Sequence, residues 1–173
     1  MSFIACQFDS EAAEILTIFN HAILNTTALY EYQPRTMATM QQWFQNKTAG
    51  NFPVIGLRNA AGQLVAFGSY GTFRAFPAFK YSVEHSVYVH PDHQGMGYGS
   101  QILAELIAAA TAQQYHLLIG GIDAENSGSI ALHQKYGFVH SGTISQAGFK
   151  FGRWLDLAFY QLTLATPNTP VDG

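Results

Sequence analysis

The segment His93-Gln94-Gly95-Met96-Gly97-Tyr98-Gly99-Ser100 places three glycines at alternate positions between an expected strand and an expected helix. Glycine there lets backbone N–H groups turn toward one point, and a helix N-terminus adds partial positive charge, so the segment reads as a phosphate cradle. No Gly-Lys-Ser/Thr follows, so the lysine with which a Walker loop reaches terminal phosphates is missing. A dinucleotide site is the rival, because strand, glycines, helix, second strand and Asp123 come in the order such sites use. Two details count against it. The third fingerprint glycine, due three residues after Gly97, is Ser100, and His90 to Gln94 separate the strand from the first glycine where a tight turn is needed. Just upstream, Glu84 stands within a strand rich in Val and Tyr, an unfavourable place for an idle carboxylate. The seven histidines form no pair at metal-binding spacing on a helix, and Cys6 is the only cysteine, so no metal is expected.

Elements must hold these groups in place. Asp9 or Ser10 is expected to cap a helix carrying Ile15, Leu16, Phe19, Ala22 and Ile23 on one face. A second helix is expected after Thr39, through Met40, Trp43, Phe44 and Lys47 to Gly50. Pro53 to Arg58 and Leu64 to Thr72 read as a hairpin turned by Asn59-Ala60-Ala61-Gly62. From Lys80 to Val89 the residues alternate, with Val83, Val87 and Val89 toward a core and Ser82, Glu84, Ser86 and Tyr88 on a polar face. Ile102 to Ala110 reads as a helix and Leu117 to Ile122 as a buried strand. Asn126 or Ser127 starts a further helix ending at Gly137, and two more strands end near Leu164.

Composition narrows the partners. A chain of 173 residues supports one domain, burying roughly 70% of its unfolded surface. We expect a single α/β domain over 1–165 and a loose tail over 166–173. With 48% hydrophobic and 11% charged residues the chain is not disordered. Eight Lys and Arg against eleven Asp and Glu, scattered without runs, lack the footprint of a nucleic-acid binder. The stretch from Ile102 to Ala112, interrupted by Glu105, is well short of the ~20 residues of a membrane span. A lone cysteine and no leader pattern suggest a reduced, cytosolic setting, and a small molecule is the better partner.

The loop resembles that of the GNAT acetyltransferases, whose pattern Gln/Arg-x-x-Gly-x-Gly/Ala matches Gln94, Gly97 and Gly99. Val87-Tyr88-Val89-His90-Pro91 resembles that family's fourth strand and its exit, and Asn126 through Ala131 to Tyr136-Gly137-Phe138 its second signature block. Thr26-Thr27, Arg74, Ser82-Val83-Glu84, Leu132-His133 and Gly148-Phe149-Lys150 extend the resemblance to the phosphinothricin and methionine sulfoximine (or sulfone) acetyltransferases. The resemblance implies a mixed, mostly antiparallel sheet splayed between its fourth and fifth strands and flanked by helices, and a homodimer. It implies acetyl-CoA held by Val87, Tyr88, Val89, Gln94, Gly95, Met96, Gly97, Tyr98, Gly99, Ser100 and Asn126. Direct attack by the amine of a small amino-acid-like acceptor follows, with no acyl-enzyme at Cys6.

Such a transfer needs a base, an oxyanion donor and a proton for the departing thiolate. The resemblance implies Glu84 as the base, a backbone N–H near Val87 or Tyr88 for the oxyanion, and His133 or Tyr136 as the acid, although a thiolate can leave unaided. Tyr30, Arg74, Ala75, Phe76, Glu84, His85 and Ser86 are the candidate acceptor contacts, with a core or dimer-contact role the alternative for His85 and a helix cap that for Asn126. An acetyltransferase for another amine and a non-catalytic acyl-CoA-binding protein are the competing functions.

Overall fold

A computed structural model describes residues 1–172. Its elements run β1 (Ser2–Ala5), α1 (Phe8–Asn25), α2 (Met37–Ala49), β2 (Val54–Arg58), β3 (Leu64–Thr72), β4 (Ser82–Val89), α3 (Tyr98–Ala112), β5 (Leu117–Asp123), α4 (Ser127–Lys135), β6 (Val139–Lys150) and β7 (Arg153–Thr163). The strands form one seven-stranded sheet in the order β1-β2-β3-β4-β5-β7-β6. It is mostly antiparallel, with β4 and β5 parallel and paired from Ser82↔Leu117 to Glu84↔Ile119. No helix among the described residues is long and apolar enough to cross a membrane. Two compact units divide the chain, Met1–Gly71 with Ser86–Leu106, and Thr72–His85 with the chain from Ile107 onward.

In the first unit, α1 turns Ile15, Ile18, Phe19 and Ala22 into a core shared with Met40 and Phe44 of α2, Leu64 and Phe67 of β3, and Tyr88. The Phe19 ring meets Trp43, Phe67 and Tyr88 edge-on at 5.3, 4.9 and 5.1 Å, the arrangement aromatic quadrupoles favour. Tyr88 is therefore core, not part of a polar face. Helix α1 starts before the expected caps. Phe8 packs on Phe44, and Glu11 accepts the Gln7 N–H at 2.8 Å, so Gln7 is the N-cap and Asp9 lies in the first turn. Likewise α2 is capped by Thr36, whose hydroxyl accepts the Thr39 N–H while the Thr39 hydroxyl accepts the Thr36 N–H. The sequence offered no forecast of β1.

In the second unit, β5 and β7 pair along their length and β6 folds back on β7 with irregularities at His140/Gly142 and Ile144/Gly148. Leu118, Ile122, Phe138, Leu155 and Ala158 are buried there. Two hydrogen bonds reach the described part, 166–172, of the segment expected to be loose, and Gly173 lies outside the described residues. Thr166 O accepts from His116 Nδ1 at 2.8 Å, and the Val171 N–H donates to the Tyr81 hydroxyl at 3.2 Å.

Candidate active site

The glycine loop belongs to the first unit. After β4, the His90 N–H donates to Val65 O at 2.8 Å and Pro91–His93 form one 3-10 turn. Gly95 and Gly97 then adopt φ of +75° and +80°, a region in which a side chain is strained. A Cβ on either would meet nothing within 4 Å, so the backbone path, not crowding, demands glycine. Gln101 N–H donates to Gly97 O, so Gly97 supplies a first-turn acceptor of α3 and the N–H groups of Tyr98 and Gly99 stand at the helix start. Tyr98, Ile102, Leu103 and Leu106 bury the inner face of α3. A Cβ on Gly68 of β3 would lie 2.5 Å from Ile102, so that glycine lets the helix sit down on its strand. This turn has open space over its glycines and amides at a helix start, and it suits a pyrophosphate.

Elsewhere in this unit Tyr30 and Ser86 are exposed, and burial pushes the Tyr88 hydroxyl up to about 12, opposed by its bond to Ser86. The sequence reading passed over two cations here. Arg35 pairs with Glu31 at 2.7 Å and stacks 4.0 Å above the Phe19 ring, lining a cavity of about 390 Å³ with Gln33, Thr39, Trp43 and Asn46. Lys47 donates to Tyr70 O at 2.8 Å, and burial, then the charge of Arg35, lowers it to about 8. The Glu31–Arg35 pair is local, four residues apart, but the ring under Arg35 lies on α1 and the acceptor of Lys47 on β3, so those contacts have no local mark in the sequence.

The second unit holds Glu84, His85, His133, Asn126, Tyr136 and Arg74. Glu84 is half-buried, and desolvation raises its carboxyl above the usual 4.5. His85 and His133 are both buried, with their Nε2 atoms 2.8 Å apart. His133 Nδ1 lies 2.7 Å from Ser129 O, and since a carbonyl only accepts, that nitrogen carries the proton. The bridging proton then belongs to His85 Nε2. Burial, then the neighbouring His133, pushes His85 down to about 3, and burial lowers His133 against the pull of the Ser129 carbonyl. The one proton of a neutral His133 sits on Nδ1 against the Ser129 carbonyl and its Nε2 accepts from His85, an arrangement that counts against His133 as the acid. Tyr136 is half-buried and caps the end of α4.

These depressed values carry a sign for stability. Histidines that resist protonation when folded but accept protons near 6.5 when unfolded stabilise fully above that pH, and the contribution is lost as pH falls toward about 3. Thermal unfolding should therefore show Tm falling between about pH 6.5 and 4, and the fall should be shallower in a His85→Asn/His133→Asn double variant.

Asn126 caps α4, its Oδ1 accepting the Ser129 N–H at 3.0 Å, and Gly137 closes that helix at φ +84°. Asp123, itself buried, accepts from Arg153 at 2.8 Å and from the Glu125 N–H, which holds the turn before Asn126. Arg74, Ala75 and Phe76 lie on an exposed loop, with the guanidinium 5.6 and 5.7 Å from the Phe76 and Phe79 ring centres. An apolar cavity of about 380 Å³ opens between Phe73, Leu117, Ile119, Thr143, Ile144 and Phe159. Burial, then Glu11, pushes the Cys6 thiol up to about 12, so it stays protonated and is no nucleophile. No group of three or more His, Cys, Asp or Glu among the described residues is placed to hold a metal.

Residues 17–138 match the model of the acetyltransferase (GNAT) family. The L-methionine sulfoximine/L-methionine sulfone acetyltransferase of Pseudomonas aeruginosa is 45% identical over 150 residues, 87% of each chain. A solved structure from Acinetobacter baylyi ADP1, 57% identical, superimposes with a TM-score of 0.98 over 99% of this chain and 96% of that one. A phosphinothricin acetyltransferase from Sinorhizobium meliloti in complex with acetyl-CoA, 31% identical, superimposes with a TM-score of 0.93 over 98% of this chain and 91% of that one.

Proposed function

The chain belongs to the acetyltransferase (GNAT) family, and from that footing we propose that it moves acetyl from acetyl-CoA to the amino group of a small amino-acid-like acceptor of the methionine sulfone, methionine sulfoximine or phosphinothricin type. The 45% identical relative is the observation that carries this acceptor class. In this reading the amides of residues 94–100 and the edge Val87–Val89 hold the acetyl-CoA, and the Asn126 amide contacts it while its oxygen caps α4. Glu84, directly or through one water, takes a proton from the acceptor's ammonium. The freed amine attacks the thioester carbonyl, the C–N bond forms as the carbonyl pair moves onto oxygen, the nitrogen gives its extra proton to solvent, and the C–S bond breaks with its electron pair leaving on sulfur. A backbone N–H near Val87 or Tyr88 steadies the oxyanion, and the thiolate takes its proton from Tyr136 or from solvent. Tyr30, Arg74, Ala75, Phe76 and Ser86 bound the acceptor, Arg74 gripping its carboxylate. His85, buried against His133, acts from behind that surface. The setting is the cytosol and the assembly a homodimer, the dimer favoured by the exposed Ile144 and Phe149 of β6, Phe151 of the turn and Trp154 of β7.

The test is CoA release across free amino acids, their sulfone and sulfoximine analogues, phosphinothricin, polyamines and peptide N-termini. Turnover concentrated on the sulfone, sulfoximine or phosphinothricin supports the reading, and turnover on polyamines or peptides alone refutes it. Arg74→Lys keeps the charge but loses the planar fork, so kcat/KM on methionine sulfone should fall about ten- to a hundredfold. On the carboxamide analogue, already a poor substrate, the same variant should lose little more. Simply additive losses would remove Arg74 from the carboxylate.

A further inference from the structure

Residue Ile119 of β5 pairs with Glu84, and the next two residues of β5 are glycines whose missing side chains face opposite ways. A Cβ on Gly121 would stand 2.9 Å from Glu84 Oε1, closer than such atoms come. A Cβ on Gly120 would stand 3.1 Å from His133 Nε2 and 3.2 Å from His85 Cε1. Neither glycine has the positive φ that would require it for backbone reasons. A strand interior gains nothing from two adjacent glycines, which lose packing and add unfolded-state entropy, so space is what they supply. On one face that space takes the imidazole pair, whose second ring follows Glu84 in β4. On the other it takes the carboxylate.

We propose that Gly121 is a positioning residue for the acetyl transfer: the hydrogen in place of a side chain leaves the seat in which the Glu84 carboxylate rests, while Gly120 accommodates the His85–His133 pair that anchors the same stretch of β4 from behind. This rests on Glu84 being the base. Gly120 and Gly121 are not interchangeable. A methyl at Gly120 meets two rings held by each other and by Ser129, whereas a methyl at Gly121 meets the far end of a flexible side chain, which can swing aside. Gly121→Ala should thus keep the fold and move the carboxylate.

The experiment measures acetyl-CoA turnover with L-methionine sulfone for wild type, Gly121→Ala, Glu84→Gln and the double variant, with Tm for each. Gly121→Ala is expected to lower kcat about ten- to a hundredfold, the order a misplacement near 1 Å produces. KM for acetyl-CoA should stay within about twofold and Tm within about 5 °C. In the Glu84→Gln background the added methyl should cost almost nothing, because the group it displaces no longer acts as a base. With Glu84→Asp, whose carboxylate is withdrawn by one methylene, the methyl should cost less than it does beside glutamate. That pair also covers the case in which Gly121→Ala alone folds poorly. Wild-type kcat in Gly121→Ala, or an equal loss in both Glu84 backgrounds, overturns the proposal while leaving the base assignment standing. Undiminished turnover in Glu84→Gln would remove the base and this seat with it.

Discussion

Replacing Glu84 with glutamine should lower turnover near neutral pH by about a hundredfold or more, the range in which a positioned base contributes. The sign of the pH dependence follows from burial. Desolvation raises the Glu84 carboxyl above the usual 4.5, so the wild-type rate should climb as pH rises through that shifted value and the carboxylate forms. Without the base, the reaction waits for the acceptor to lose its proton to solvent, which for an α-amino group happens near pH 8. The deficit of Glu84→Gln should therefore shrink steadily from pH 6 to pH 9. Steady-state kcat measured across that range, with acetyl-CoA saturating, decides the matter. A variant profile that runs parallel to wild type would assign Glu84 to structure.

The second large effect is expected at Gly97. With φ at +80°, a β-branched side chain there is strained as well as obstructive, so Gly97→Val should lose about 1–3 kcal/mol of stability in addition to affinity. Gly97→Asn separates the two. Asparagine tolerates the left-handed region, and its Cβ meets nothing within 4 Å of the protein itself, so the fold should hold while the side chain intrudes on whatever occupies the cradle. Calorimetry should show CoA binding weakened about ten- to a hundredfold in both variants, the equivalent of one charge-assisted hydrogen bond. Full affinity in a folded Gly97→Asn protein would mean that the pyrophosphate does not rest on this loop.

What could be read from the chain follows the range of the interactions involved. The cap of α4 was legible because Asn126 bonds to Ser129, three residues on, and the glycine loop because positive φ is written into residue type. Caps were misplaced at α1 and α2 where the deciding contact was tertiary, as in the packing of Phe8 on Phe44, or a threonine box one turn upstream. Strand β1 has only four residues and becomes a strand by pairing with β2. Tyr88 looked polar by alternation, but Phe19 and Phe67 draw it inward. The contact that counts against His133 as the acid comes from His85, 48 residues away, and nothing near His133 in the chain announces it. A signal did exist for Gly121, since adjacent glycines inside a buried strand point to a close approach, but not for which side chain approaches.

The proton between His85 and His133 is also a clock. It sits in a 2.8 Å contact between two buried rings, so its exchange with water is fastest when α4 lifts from the strand. Its lifetime, read as a downfield imidazole resonance, would time the breathing of the strand that carries Glu84 without any label being added to the protein.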